Sequence, residues 1–278
     1  MKRLLLAASF LALACSSKKA PADTLDKEKV GKLQSLRTQL KEAYLKETES
    51  HIGHWPSDHD CDGALWAGIA RAADIKEVDI SLALTKEGRP TRRPGSDCGP
   101  QDSSATTSTD MMLGTIVGLF AAGDLDGLEK MDDYSARHNG IMGQPENAIP
   151  LTLIKPGTKA HLANSINALG GPSSTWQKFP QVYTPPAHDY ELHLEMLSVY
   201  QSLVTRHGVD FLTYETVVKE ASNNPNDALV QALRGNVNHS ADLLLDSSWQ
   251  VPHYVRGPET APLVHKLFVL HMLITPYE

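Results

Sequence analysis

Apolar side chains recur at spacings of three and four residues along most of the chain, the pattern of amphipathic helices. Residues 25–49 show it first, through Leu33, Leu36, Leu40 and Tyr44. No alternating strand pattern longer than four or five residues occurs, apart from residues 150–154. The same periodicity predicts further helices over 64–73, 109–120, 124–137, 158–169, 189–207, 225–234, 240–245 and 262–274.

These elements predict an all-α fold of helical hairpins in a single compact domain that spans residues 25–278. The connections between the helices are long, and the longest polar one covers residues 85–108. Long connections without periodicity are uncommon inside a domain and often functional. No period of 20–50 residues recurs, so a regular solenoid is not indicated.

The first residues have the composition of a targeting segment. Met1, Lys2 and Arg3 precede an apolar run of about 11 residues that ends in small side chains, as in a secretory signal. The run is too short to span a bilayer, which needs roughly 20 residues. Residues 11–15, with the sequence LALAC, resemble the lipobox of bacterial lipoproteins.

The lipobox resemblance implies that residues 1–14 are a cleaved signal peptide. It also implies that Cys15 carries the lipid anchor, which includes palmitate. Residues 15–24 would then be a tether that attaches the protein to a bacterial membrane. Ser16 at the position after the cysteine favours the outer membrane over the inner one. The alternative is an ordinary cleaved signal with a chance cysteine.

The charge balance restricts the partners of the protein. The net charge is −7, and it becomes −9 when Lys2 and Arg3 are removed with the signal. An acidic surface repels the phosphates of nucleic acid. We therefore expect no nucleic-acid partner.

Assigning Cys15 to the lipid leaves Cys61 and Cys98 as the remaining cysteines. Outside the cytoplasm two such thiols are usually joined, so a disulfide between them is expected. The alternative is a catalytic thiol at Cys61, beside His59.

Three aspartates at alternate positions, Asp58, Asp60 and Asp62, precede Gly63 and match the first half of a calcium-binding loop. The twelfth position is Ile69, so the closing glutamate of an EF-hand is missing. A calcium site would need a carboxylate from elsewhere in the chain; the alternative is a polar helix cap.

Three histidines, His51, His54 and His59, lie in the same loop and could bind zinc. Their spacing lacks the helical i, i+4 placement of the H-E-x-x-H zinc motif. Packing at the surface is the alternative for these side chains.

Paired carboxylates form the candidate catalytic group. Asp60 and Asp62 precede one predicted helix, and Asp110 lies in the first turn of another. Glycosidases use such a pair, in which one carboxyl protonates the leaving oxygen and the other activates water or attacks. Helix starts also favour carboxylates electrostatically, which is the structural alternative.

Three further side chains are candidates for substrate binding. Arg92 and Arg93 could bind acidic substituents of a sugar, and Trp55 could provide an aromatic platform. The expected disulfide would hold the arginine loop near Asp60 and Asp62.

Segments 60–66, 108–114 and 134–143, with the later helix boundaries at 224–229 and 243–246, resemble the α/α-toroid proteins, which include six-hairpin glycosidases and related polysaccharide lyases. The resemblance implies a helical barrel with carboxylates at the inner ends of its hairpins. The chain is short for six hairpins, so an incomplete or small α/α barrel is expected.

Three classes of function remain open after the sequence is read. The first is an enzyme that cleaves cell-wall or surface polysaccharide with Asp60, Asp62 and Asp110. The second is a noncatalytic lipoprotein that binds a glycan or a protein. The third is a calcium- or zinc-dependent protein that uses residues 51–62.

Overall fold

The computed structural model describes residues 24–56, 61–94, 98, 106–143, 152–178, 192–205 and 223–277. The described part is helical, without strands, and confirms the predicted all-α fold. Its only strand-like features are isolated bridges between Leu84 and Pro90 and between Ile141 and Leu153. The described helices are α1 Lys27–Glu47, α2 Gly63–Ala72, α3 Thr109–Ala122, α4 Leu125–Arg137, α5 Pro156–Ala168, α6 Leu192–Val204, α7 Ala228–Arg234, α8 Val237–Leu245 and α9 Ala261–Ile274.

Aspartate side chains cap the starts of several helices. Asp26 accepts a hydrogen bond from the Glu28 backbone N–H at the start of α1, and Asp124 accepts one from Gly127 at the start of α4. Such a cap satisfies backbone donors that have no partner inside the helix. At the other end, α3 stops at Gly123, whose φ of 72° is the left-handed conformation that terminates helices.

The centre of the fold is the crossing of α2 and α3, where glycines replace side chains. A Cβ on Gly118 would lie 2.8 Å from the Gly68 Cα, and one on Gly114 would lie 2.9 Å from the Leu65 carbonyl oxygen. A Cβ on Gly68 would overlap the Gly114 carbonyl. Residue numbers rise together along the two helices at these contacts. The two helices therefore run in the same general direction.

Helix α9 packs against α1, α2, α7 and α8 and joins the two ends of the chain. It is apolar nearly all round, and Phe268 and Leu270 are essentially inaccessible. The Leu25 backbone N–H donates to the Tyr277 hydroxyl over 2.7 Å, and Arg37 on α1 contacts His271 on α9.

The described helices do not show an α/α toroid. A toroid is a ring of hairpins in which consecutive helices run in opposite directions. Here α2 and α3 run the same way where they cross at the centre. The fold is a compact helical domain, and the expected incomplete or small α/α barrel is not seen in the described residues.

Candidate functional site at the shared start of α2 and α3

Helices α2 and α3 begin at the same end of the domain, because they cross in the same direction. Asp62 is the residue before α2, and Asp110 lies in the first turn of α3. The sequence predicted that both would lie at helix starts. The crossing at Gly68 and Gly114 sets these two starts side by side. We call this end of the domain the α2/α3 entrance.

The loop that carries Arg92 is bound to the start of α2. The Ala64 backbone N–H donates to the Arg92 carbonyl oxygen over 2.8 Å. The Arg92 guanidinium donates to the Cys61 carbonyl over 2.9 Å and lies 3.5 Å from the Asp62 carboxylate. The arginine therefore lies beside Asp62, as the sequence predicted.

Cys61 and Cys98 form a disulfide, which confirms the predicted pairing. Their Cα atoms are 5.7 Å apart, within the range typical of a disulfide. The disulfide and the Arg92 hydrogen bonds attach the same loop to the start of α2 at two points.

Asp110 is much less accessible than Asp62. Its residue is 8% exposed, and the Ser108 hydroxyl donates to its carboxylate. The carboxylate lies in the first turn of α3, at the positive end of the helix dipole. Ser108 and Asp110 thus form a small polar group at the entrance.

Arg93 and Trp55, the other two candidates for substrate binding, have different surroundings. Arg93 is partly buried, and its carbonyl accepts a hydrogen bond from the Thr91 hydroxyl over 3.0 Å. The prediction that Trp55 is an aromatic platform for a sugar is wrong. Its side chain is 0% exposed, and its indole N–H donates to the Asp79 carbonyl over 2.9 Å. The ring packs in the core against Gly63, so it has no exposed face for a sugar.

The predicted metal ligands are only partly described. Asp58, His59 and Asp60 lie outside the described residues, so the calcium and zinc interpretations stay predictions. His51 and His54 make local contacts, with the Trp55 carbonyl at 2.9 Å and the Thr48 hydroxyl at 3.3 Å. Within the described ranges, no three His, Cys, Asp or Glu side chains are arranged to hold a metal ion.

Residues 140–142 and 152–154, which lie between α4 and α5, pair with each other beside the start of α3. The Met142 backbone N–H donates to the Thr152 carbonyl over 2.8 Å, and Ile154 pairs with Gly140 in the same way. The Thr152 hydroxyl reaches the Thr107 carbonyl, just before α3, over 3.5 Å. The end of α4 and the start of α5 therefore lie at the same end of the domain as Asp110.

A wall of the entrance comes from residues 253–258, which sequence reasoning missed. The Trp66 indole N–H donates to the Arg256 carbonyl over 2.8 Å. A Cβ on Gly257 would lie 3.5 Å from the Asp62 Cβ. The Arg-Gly-Pro sequence at 256–258 indicates a turn. Nothing in the local sequence indicates that this turn contacts a residue almost 200 positions earlier.

A cleft of about 330 Å³ lies beside α4 and α5 and is lined by other residues. Glu129, Asp132 and Asp133 line it, with Ser173 and Ser174 opposite. Asp132 lies 2.7 Å from the ammonium of Lys159, which also donates to the Ser135 hydroxyl. This cleft contains none of the predicted catalytic residues.

Comparison of the chain with known protein families, with curated proteins and with solved structures finds no significant match. The functional argument therefore rests on the residues of the entrance.

Proposed function

We propose that the protein is a lipid-anchored enzyme that cleaves a cell-wall or surface polysaccharide at the α2/α3 entrance. The observation that supports this proposal is the shared start of α2 and α3, which puts Asp62, with Arg92 beside it, and Asp110 at one end of the domain. Two carboxyl groups on either side of a glycosidic bond are sufficient for its hydrolysis.

The two carboxyl groups have different surroundings, which suits different roles. Arg92 stabilises the charged form of Asp62, and this favours Asp62 as the group that activates water or attacks the sugar. Asp110, the less exposed of the two carboxyl groups, is then assigned the role of proton donor. Asp60 remains the third catalytic candidate, and it lies outside the described residues.

Replacing Asp62 or Asp110 with asparagine should lower glycan cleavage by about a hundredfold or more, the usual contribution of general acid–base catalysis. Asparagine keeps the shape of the side chain and removes its proton-transfer chemistry. The measurement is the release of reducing sugar from purified cell-wall and surface glycans, with the thermal midpoint checked for each variant.

Asp124→Asn is the matched control, because Asp124 also lies at a helix start but at the far end of α3. Asparagine can still cap α4, so the control should keep the parent rate. Full activity in Asp62→Asn and Asp110→Asn would rule out this site. A parent protein that cleaves none of the glycans would rule out the enzyme.

Noncatalytic binding of a glycan or protein partner is the second candidate function. One observation favours it: both carboxylates already have partners within the protein, Arg92 for Asp62 and Ser108 for Asp110. Binding without cleavage requires no carboxyl group that is available for proton transfer.

Membrane attachment through Cys15 has its own test. None of the described helices is long and apolar enough to cross a bilayer. Because the proposed lipid is carried by Cys15, Cys15→Ser should move the protein from the membrane pellet to the soluble fraction and abolish incorporation of labelled palmitate. Ser16→Ala, one residue away, should leave both measurements unchanged. Membrane association of the Cys15→Ser protein at the parent level would contradict the lipid anchor.

A further inference from the structure

The segment of residues 253–258 is fixed over the α2/α3 entrance from two sides. On one side the Tyr254 hydroxyl donates to the Asp227 carboxylate over 2.6 Å. Asp227 is itself held at the start of α7 by the backbone N–H groups of Leu229 and Val230. On the other side the Trp66 indole binds the Arg256 carbonyl. The side chains that make these two contacts are buried, so the core holds the segment in place.

Gly257 allows the segment to approach Asp62 closely. Its φ of 124° is a conformation that other residues rarely adopt, and a Cβ there would lie 2.6 Å from the Trp66 indole nitrogen. The same Cβ would be 3.5 Å from the Asp62 Cβ. The residue before Gly257 therefore lies at the edge of the entrance.

That residue is Arg256, whose side chain is exposed. Its guanidinium donates to the His253 carbonyl over 3.0 Å, within the same segment. Among the described residues, no carboxylate forms an ion pair with it, whereas the Asp62 carboxylate lies close to Arg92. The backbone of Arg256 thus lies at the edge of the entrance, and its exposed guanidinium is a positive charge that no ion pair neutralises in the described part of the chain.

We propose that Arg256 determines specificity for glycans that carry carboxylate groups. This inference rests on the proposed function and adds the substrate class to it. A guanidinium presents donors in a planar fork that matches a carboxylate, and an exposed one adapts to a flexible sugar acid. Neutral sugars make no such contact, so Arg256 distinguishes acidic from neutral glycans.

The test compares one glycan in charged and neutral form. Calorimetric titration is done with pentagalacturonate and with its fully methyl-esterified derivative, which has the same backbone without the negative charges. The parent protein should prefer the acid. Arg256→Gln should weaken binding of the acid about tenfold, as for a lost charged hydrogen bond, and leave the ester unaffected.

Arg71→Gln provides the matched control, because Arg71 lies in the last turn of α2, about 13 Å along the helix from Asp62. It removes the same charge and should change neither affinity. In the cleavage assay with an acidic glycan, Arg256→Gln should raise KM and leave kcat near the parent value.

An equal effect of Arg256→Gln on both ligands, or no effect on either, overturns the inference. Failure of the parent to prefer pentagalacturonate over its ester overturns it as well. These outcomes are distinct from a failure of the proposed enzymatic function. A protein that binds the acid through Arg256 but cleaves no glycan would support the inferred specificity and contradict the proposed catalysis.

Discussion

Replacing Gly68 with alanine is expected to lower the free energy of unfolding by about 3–5 kcal/mol, at or above the upper end of the effect of overpacking a core. The added methyl group would overlap the carbonyl of Gly114 on the neighbouring helix. The contacting atoms are the added Cβ and the backbone carbonyl of Gly114, so no side chain can rotate to make room. The helices must move apart, and their buried surface must open.

Gly31→Ala is the matched control for this substitution. Gly31 lies within α1, exposed, and a Cβ there would meet nothing within 4 Å. Alanine is the better helix former, so this variant should be more stable by about 0.5–1 kcal/mol. Urea unfolding followed by circular dichroism measures both changes. A loss below 1 kcal/mol for Gly68→Ala would show that the α2/α3 contact is not close.

Lowering the pH from 7 to 5 is expected to lower the free energy of unfolding by about 4 kcal/mol through two buried histidines. Burial lowers the pKa of His161 to about 3. It also lowers the pKa of His265 to about 3, with a smaller contribution from the charge of Lys266. Both rings are neutral in the folded protein throughout this range, whereas in the unfolded chain they gain protons as the pH falls below about 6.5.

The sign follows from which state binds more protons. Below pH 6.5 the unfolded chain binds more, so stability is lost as the pH falls. Asp227 acts in the opposite direction. Burial raises the pKa of its carboxyl, against hydrogen bonds from Tyr254 and two backbone N–H groups that lower it. Its protonation in the folded state adds stability as the pH falls through that raised pKa. Two histidines acting together should dominate the measured change.

Urea unfolding at pH 7 and pH 5 tests this expectation on each variant. His161→Gln and His265→Gln should each remove about 2 kcal/mol of the pH-dependent loss. His271, whose pKa burial lowers to about 4, contributes a further loss in the same direction that both variants retain. Since the two pH values are compared within one variant, the direct effect of the substitution on packing cancels. His239→Gln, at an exposed position, should leave the pH dependence unchanged. A stability that is constant between pH 7 and pH 5 would contradict the buried neutral state of both rings.

The spacing of apolar residues was sufficient to predict the helices, because each helix buries a face that repeats every three to four residues. It could not predict which helices meet. Within a helix, glycine indicates weakness, yet Gly68, Gly114 and Gly118 make the closest contact of the fold. That role depends on the partner helix, which the local sequence does not encode.

Contacts at the entrance could be predicted from the sequence in two cases. In one, the contacting residues are close together along the chain, and in the other, the chain has few residues of the type that forms the contact. The Cys61–Cys98 pair followed from the count of cysteines, and it carries the Arg92 loop to Asp62. Trp55 was predicted to be an aromatic platform for a sugar, which requires an exposed ring. Its indole N–H instead donates to the carbonyl of Asp79, 24 positions later, and the ring is buried.

The contact between α1 and α9 determines the order in which the domain can fold. Leu25 and Tyr277 are separated by 252 positions, so the chain must close a very long loop before this contact forms. Contacts of such high sequence separation slow folding. Because α1 precedes α9 by most of the described chain, its apolar stripe has no α9 to pack against until the intervening helices are in place. Helix α1 is thus among the last of the described helices to be buried.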